Sequence, residues 1–489
     1  MIVIYLFLGI YILAMCFVLF YSFAQAHLLY HFIKFKKNMP PLVTPEWKDL
    51  PKVTVQLPVY NEKYVVERLI EAVAALKYPA DKLEIQILDD STDETITVIQ
   101  EKIKAYPQVD FQYINRKDRD GFKAGALKWG LEKAKGEFIA IFDADFTPDP
   151  EFLLKTVPFF TDAQVGMVQS RWTHLNEADS LLTRLQAFAL DAHFMVEQMG
   201  RNGQGVFINF NGTGGIWRKT CILDAGNWEA DTLTEDLDLS YRAQKKGWKF
   251  VYRPDIESPA ELPPVMSAIK SQQFRWTKGG AECAKKHLLS VLKDGFGWRK
   301  KVHATAHLLN AVIFIAVLLV SISSIPLWFA FYKGIIPPSL FQAAAIFLFG
   351  FVIIALVYFF GNLSLSGFSG KNILRFLWEL PLFLSVSMGL ALHNGQAVWE
   401  GLTGKKSPFI RTPKYNLKVK SAWTENVYNQ IKIPPTTYFE AILALIFSTM
   451  VVLSIFTGTY EMLVFHLMLA FGYSLITWTS LKSYIFKSA

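Results

Sequence analysis

Cysteine is scarce in this sequence: only Cys16, Cys221 and Cys283 occur in 489 residues. Three widely separated thiols exclude a disulfide framework and a cysteine zinc site, and they suit a reducing compartment. The nine histidines form no convincing ligand set. His303 and His307 share a helical face where an apolar stretch begins, and interfacial packing is the expected role there. Charge is missing altogether from residues 1–33, which contain no Asp, Glu, Lys or Arg. A cleaved signal peptide carries a basic segment ahead of its apolar core, and here the positive charges come after it, so that reading is set aside. No nucleic-acid motif is present. The Lys and Arg residues behind the net charge of +8 bunch at the ends of apolar segments, beside anionic headgroups, rather than along one face.

What is plentiful is apolar surface: 52% of residues are hydrophobic and 15% aromatic, too much for an ordinary soluble protein. Residues 1–33 exceed the roughly 20 that span a bilayer. Lys34, Lys36 and Lys37 follow, which places that end in the cytoplasm. Further spans are expected at 306–331, 340–360, 438–456 and 462–481. The stretch 373–397 is long enough to span, but both flanks are basic: Lys371 and Arg375 before it, Lys405, Lys406, Arg411 and Lys414 after it. With Pro381 inside it, this stretch is expected to lie along the cytoplasmic interface. Five spans then leave Lys482 and Lys487 inside, with the lipid bilayer as a partner.

Residues from about 50 to 300 alternate short β runs with amphipathic helical patterns, the signature of an α/β domain built on a doubly wound parallel sheet. A first strand is expected at 53–57, followed by the loop Pro58-Val59-Tyr60-Asn61-Glu62 and a helix over 62–76. A second strand at 83–88 ends in Asp89-Asp90-Ser91-Thr92-Asp93, where Ser91 or Thr92 is placed to cap the next helix. A basic loop from Arg116 runs through Lys123 into a helix, so that cations and a helix N-terminus face the same edge. The apolar run 138–142 leads straight into Asp143 and Asp145. Another strand is expected at 165–170, an amphipathic helix at 181–199, a small-residue turn at 207–215, and a turn at Gly279-Gly280.

Asp143 and Asp145 sit at the C-terminal mouth of a buried strand, where open α/β sheets bind ligands. Two acids there call for a hard divalent cation, which keeps coordination positions for water and substrate phosphates. Strand after strand delivers polar residues to this edge, and Thr234-Glu235-Asp236 adds a third acidic group at a helix start.

The ordered set resembles the family-two inverting glycosyltransferases, and more narrowly the processive cellulose-synthase-like polysaccharide synthases. Their motifs are an Asp after the second strand, D-x-D, T-E-D and Q-x-x-R-W. Here they stand as Asp90, Asp143/Asp145, Thr234-Glu235-Asp236 and Gln272-Gln273-Phe274-Arg275-Trp276. The resemblance implies a nucleotide-diphospho-sugar-binding (GT-A, Rossmann-like) domain. Asp236, with Glu235 beside it, would be the catalytic base. Asp143 and Asp145 would hold Mg2+ or Mn2+, helped at the diphosphate by Lys123 and Arg275; Glu62 and Asp89 or Asp90 would contact base and ribose, and Pro58, Tyr60 and Gln272 would also bind the donor. Asn211, Gly212 and Thr213 would lie near the acceptor terminus, and Trp276 would form a stacking floor beneath its sugar. Phe210-Asn211-Gly212-Thr213 with Ile216-Trp217-Arg218 is most similar to the mannan and glucomannan synthase branch. The segment with Phe409, Arg411, Thr412 and Lys414 resembles the gating loop of such synthases, which covers bound nucleotide.

The implied organisation is a membrane helix at 1–33, a cytosolic domain at 45–300, two membrane helices within 303–362, an interface helix and gating loop at 370–420, and two more membrane helices within 436–482. The implied partners are a nucleotide sugar, GDP-mannose or UDP-glucose, and a growing β-linked polysaccharide, with an oligomer or an accessory export subunit as further partners. The membrane would be a bacterial inner membrane or a Golgi membrane. Two alternatives are transfer of one sugar to a membrane lipid, and a non-catalytic transporter that senses a nucleotide.

Overall fold

A computed structural model describes residues 1–42, 50–337, 339–340, 345–407, 410–416 and 433–488. Between the apolar helices lies a seven-stranded sheet. Its strands are β1 (Val53–Val59), β2 (Leu83–Asp89), β3 (Phe111–Asn115), β4 (Phe138–Ile141), β5 (Val165–His174), β6 (Gly215–Arg218) and β7 (Lys249–Ala260), in the order β3-β2-β1-β4-β6-β5-β7. Val53, Val55 and Leu57 on β1, Ile85 and Ile87 on β2, and all of β4 are buried, as expected of strands covered on both faces.

The sheet is mixed rather than wholly parallel. β3, β2, β1 and β4 run parallel, but β6 enters antiparallel to both β4 and β5. The reason is connectivity. β6 comes in from a loop at the same edge that β4 leaves, so Gly215 pairs with Ile141 and the chain must run back.

Several local expectations give way to better-satisfied alternatives. The helix after β1 is shorter than expected, Val66–Ala74. Ser91 caps no helix; its Oγ accepts from the backbone N–H of Asn61, tying the β1 and β2 loops together. The next helix starts later, at Thr95, whose N–H is taken by Asp93 Oδ1. Gly279-Gly280 is no turn, because a single helix runs Met266–Lys293. An added Cβ at Gly279 would stand 2.6 Å from Thr234 Cγ2 and 2.8 Å from its backbone nitrogen. That glycine lets the loop before Glu235 press against the helix. The expected helix at 181–199 opens on a Ser180/Thr183 capping box, widens into a π-helical turn at His193–Gln198 and resumes as Met199–Gln204.

Among the described residues, five helices are long and apolar enough to cross a membrane: Ile2–Lys37, Asn310–Tyr332, Leu348–Ser366, Thr436–Thr457 and Leu463–Lys482. The first packs closely on the helix Met199–Gln204, since an added Cβ at Gly200 would fall 2.5 Å from the carbonyl oxygen of Leu28. The helices Gly370–Gly389 and Ala391–Thr403 meet at a 50° bend. The first of them exposes Leu374, Leu377 and Trp378 while burying Phe376, Glu379 and Leu380. Trp328 is fully buried, in a cluster with Met450 and Met462.

Candidate functional site

β1, β2 and β4 end at one edge of the sheet, and the polar residues that follow them gather there. Tyr60 and Glu62 come from β1, Asp90 from β2, and Asp143 and Asp145 from β4. The antiparallel entry of β6 delivers the loop Asn211–Gly214 to the same place. Gly214 N–H donates to Ile141 O at 2.9 Å, and Asp143 N–H donates to Thr213 Oγ1 at 2.8 Å. The helix Met266–Lys293 crosses in front, and the three- and four-residue spacing of Gln272, Arg275 and Trp276 puts all three on one helical face.

Two cavities meet at the acidic pair. One, of about 760 Å³, is lined by Asn211, Gly212, Glu235, Asp236, Glu261, Gln272, Trp172 and Trp276. The other, of about 620 Å³, is lined by Pro58, Tyr60, Glu62, Asp90, Arg119, Arg411 and Thr412. Lys123, Asp143, Asp145, Arg275 and Lys414 line both. A molecule with two unlike ends and a charged middle fits that layout.

The electrostatics are strongly shaped by burial. Asp236 is pushed up to about 7, by burial first and by Glu235 second, with Lys123 pulling the other way. An added Cβ at Gly212 would stand 3.0 Å from Asp236 Oδ2, and the backbone there is left-handed, at φ +82°, so only glycine fits without strain. Burial opposes the charge on Lys123, but Asp143 and Glu235 hold its ammonium above the ordinary value. Its Nζ lies 2.5 Å from Asp143 Oδ1, 2.8 Å from Gly212 O and 3.9 Å from Glu235 Oε1. Asp145 is raised by burial, against the pull of Lys414, whose Nζ is 2.6 Å from Oδ2; its Oδ1 is buried without a hydrogen-bond partner among the described residues.

Two adjacent carboxylates with an unsatisfied buried oxygen suit a hard divalent ion. The only other tight acidic group among the described residues, Glu229, Asp231 and Asp238, already has a cation: Lys286 Nζ sits 2.7, 2.8 and 2.8 Å from the three.

The segment 410–416 reaches into the site. Arg411 pairs with Glu62 at 2.7 Å and donates to the carbonyls of Tyr60 and Asn61. Glu62 is nevertheless raised to about 7, because burial outweighs the pull of Arg411 and Lys414. Phe409 lies outside the described residues.

Two sequence-picked residues face neither cavity. Asp89 is buried and accepts from Ser91 N–H and Tyr113 OH, fixing the end of β2. Thr213 is buried beneath the acidic pair, where it accepts the Asp143 N–H. Arg119, within the expected basic loop, lines the second cavity and stacks 3.3 Å over the Tyr60 ring, whereas Trp172, His174 and Glu261 on the wall of the first are not among the residues the sequence singles out. For Trp172 and His174 a signal existed, since they continue the alternation of β5 beyond Ser170. Glu261 follows β7, a strand the sequence reading did not place.

The family described as "Glycosyltransferase like family 2" matches residues 51–279. The chain is 47% identical over 251 residues to probable glucomannan 4-beta-mannosyltransferase 7 of Oryza sativa subsp. japonica, covering 50% of this chain and 43% of that relative. It is 38% identical over 389 residues to glucomannan 4-beta-mannosyltransferase 1 of the same organism, covering 76% and 71%. The first of these alignments therefore spans less than half of the relative's length. Among solved structures, a mannosyltransferase from Pyrobaculum calidifontis in complex with GDP-Man and Mn2+ superposes with a TM-score of 0.54 at 19% identity. It covers 80% of this chain and 100% of that one, which speaks for a shared GT-A-like fold. The chain belongs to the family-2 glycosyltransferases, in the cellulose-synthase-like group that includes the glucomannan 4-beta-mannosyltransferases.

Proposed function

We propose that this chain is a membrane-embedded inverting glycosyltransferase that extends a β-linked mannan or glucomannan from GDP-mannose on the cytoplasmic side and passes the product across the bilayer. The observation that carries this reading is the meeting of two cavities at Asp143 and Asp145, with Asp236 on one side and Glu62, Asp90 and Arg119 on the other.

In this reading the nucleoside lies along Tyr60, Glu62 and Asp90, and the acceptor sugar rests on Trp276. Asp236 takes the proton from the acceptor hydroxyl as that oxygen attacks the anomeric carbon from the face opposite the diphosphate. A carboxyl poised near 7 by burial is matched to that task at neutral pH. Lys123 and Arg275 face the departing diphosphate and offset its charge. Asp143 and Asp145 would hold Mg2+ or Mn2+, which supplies Lewis-acid neutralisation of the leaving group when bound. Lys414 must withdraw from Asp145 for that to happen, so segment 410–416 serves as a gate that closes the site to water during transfer. The helix Gly370–Gly389, with its exposed apolar face, lies along the cytoplasmic interface and leads into that gate.

The test is a donor screen. Purified protein in liposomes with Mn2+ is given radiolabelled GDP-mannose or UDP-glucose singly and together. A high-mass, alkali-insoluble product that requires GDP-mannose is expected. Labelled lipid carrying a single sugar would overturn the polymerising reading.

A further inference from the structure

We infer that His193 and Glu197 are positioning residues for sugar transfer, acting through the side-chain amide of Asn211. The inference rests on the proposal that Asn211 faces the acceptor.

His193–Gln198 forms a π-helical turn inside an otherwise α-helical segment, a form that is rare and recurs at functional sites. In an α-helix, residues five apart point about 140° away from each other. The wider turn brings His193 and Gln198 to one side, and both reach Asn211. Gln198 Nε2 donates to Asn211 Oδ1 at 2.7 Å and to Asn209 O at 2.8 Å. With its oxygen taken by a group that only donates, Asn211 must turn Nδ2 toward His193 Nε2, 3.2 Å away. His193 Nε2 therefore accepts, and the ring hydrogen sits on Nδ1, which donates to Glu197 Oε2 at 2.9 Å. Burial opposes the charge on Glu197, but Arg201 and His193 hold its carboxyl far below the ordinary range. Gln25, on the first membrane helix, donates to Glu197 Oε1 at 2.7 Å.

From Gln198 through Asn211 and His193 each bond points the same way, and the run ends on Glu197, which also accepts from Gln25. These bonds fix the tautomer of His193 and the rotation of the Asn211 amide, whose backbone N–H is separately held by Gln169 Oε1 at 3.0 Å. Asn211 also lines the cavity that holds Asp236 and Trp276. A fixed amide there orients an acceptor hydroxyl without touching the donor side.

The experiment separates acceptor from donor effects in the full-length protein, using a β-1,4-linked manno-oligosaccharide and GDP-mannose. His193→Leu removes the acceptor nitrogen and should raise the oligosaccharide KM about fivefold to tenfold. The donor KM and the rate of donor hydrolysis by water should stay within about twofold. His193→Gln, whose Oε1 can accept in place of Nε2, should restore most of the loss, and Glu197→Gln should resemble His193→Leu. An unchanged oligosaccharide KM in both His193→Leu and Glu197→Gln overturns the inference alone. So does a parallel fall in acceptor and donor parameters that His193→Gln does not rescue. No extension of the oligosaccharide by the unaltered protein would overturn the reading of the site, and this inference with it.

Discussion

At the scale of single residues, burial decides how the site behaves. Asp236 stays protonated up to about 7, so turnover should rise with pH through that value and level off above it, as the base loses its proton. The same group binds a proton more tightly in the folded chain than when unfolded. Its contribution to stability is therefore fully present below the ordinary carboxylate pKa of about 4 and is lost as pH rises through about 7. The thermal midpoint of the unaltered protein relative to Asp236→Asn should therefore fall across that range, and a difference independent of pH would contradict it. Lys414→Met should tighten Mn2+ binding in the absence of donor, since the ammonium 2.6 Å from Asp145 Oδ2 no longer competes. Calorimetric titration with the metal reads this directly, and weaker Mn2+ binding would contradict it. Most of these groups were legible because their chemistry demands particular residue types at particular spacings. Asp143, Asp145, Asp236 and Arg275 line one cavity together. Asp89 differs from Asp90 only in the direction of its side chain, and a two-acid string does not disclose which one turns inward to Tyr113 and Ser91.

At the scale of elements, the informative failures concern strands and glycines. β3 and β7 pair at the two outer edges of the sheet, and β6 has only four residues. None is a continuous apolar run like β4: β3 carries Gln112 and Asn115, β6 ends in Arg218, and β7 is long but interrupted by Arg253, Asp255 and Glu257. The antiparallel direction of β6 is a property of the whole sheet and leaves no local pattern. Gly279-Gly280 was read as a turn because paired glycines usually break a helix. Here the missing side chains allow the loop at Thr234 to sit against the helix. Gly279→Ala should therefore stabilise the isolated helix but destabilise the protein, by about 1–3 kcal/mol, because Thr234 must move. Turnover should fall as well, since Glu235 and Asp236 follow that loop directly. Paired thermal-shift and kinetic measurements check this, and an unchanged midpoint would contradict the close approach.

At the scale of the whole molecule, the apolar helices and the sugar-transfer domain are joined by buried polar contacts as well as by packing. Lys270, on the helix that carries Gln272, Arg275 and Trp276, pairs with Glu440 of the helix Thr436–Thr457 at 2.6 Å, and both are buried. Lys270→Met leaves Glu440 unpaired and should cost about 3–5 kcal/mol, read as a lowered unfolding midpoint in detergent. Adding Glu440→Leu should recover most of that loss. The five long apolar helices among the described residues were legible from length and hydropathy alone, whereas this ion pair was not, because its partners are far apart in sequence. The central claim is that sugar transfer occurs where the two cavities meet, with Asp236 as the base. Its most direct test is extension of a labelled β-linked manno-oligosaccharide by GDP-mannose, comparing the unaltered protein with Asp236→Asn. The account predicts extension by the former and a loss of about 10²- to 10⁴-fold in the latter, with GDP-mannose still bound; equal extension by both proteins would contradict it.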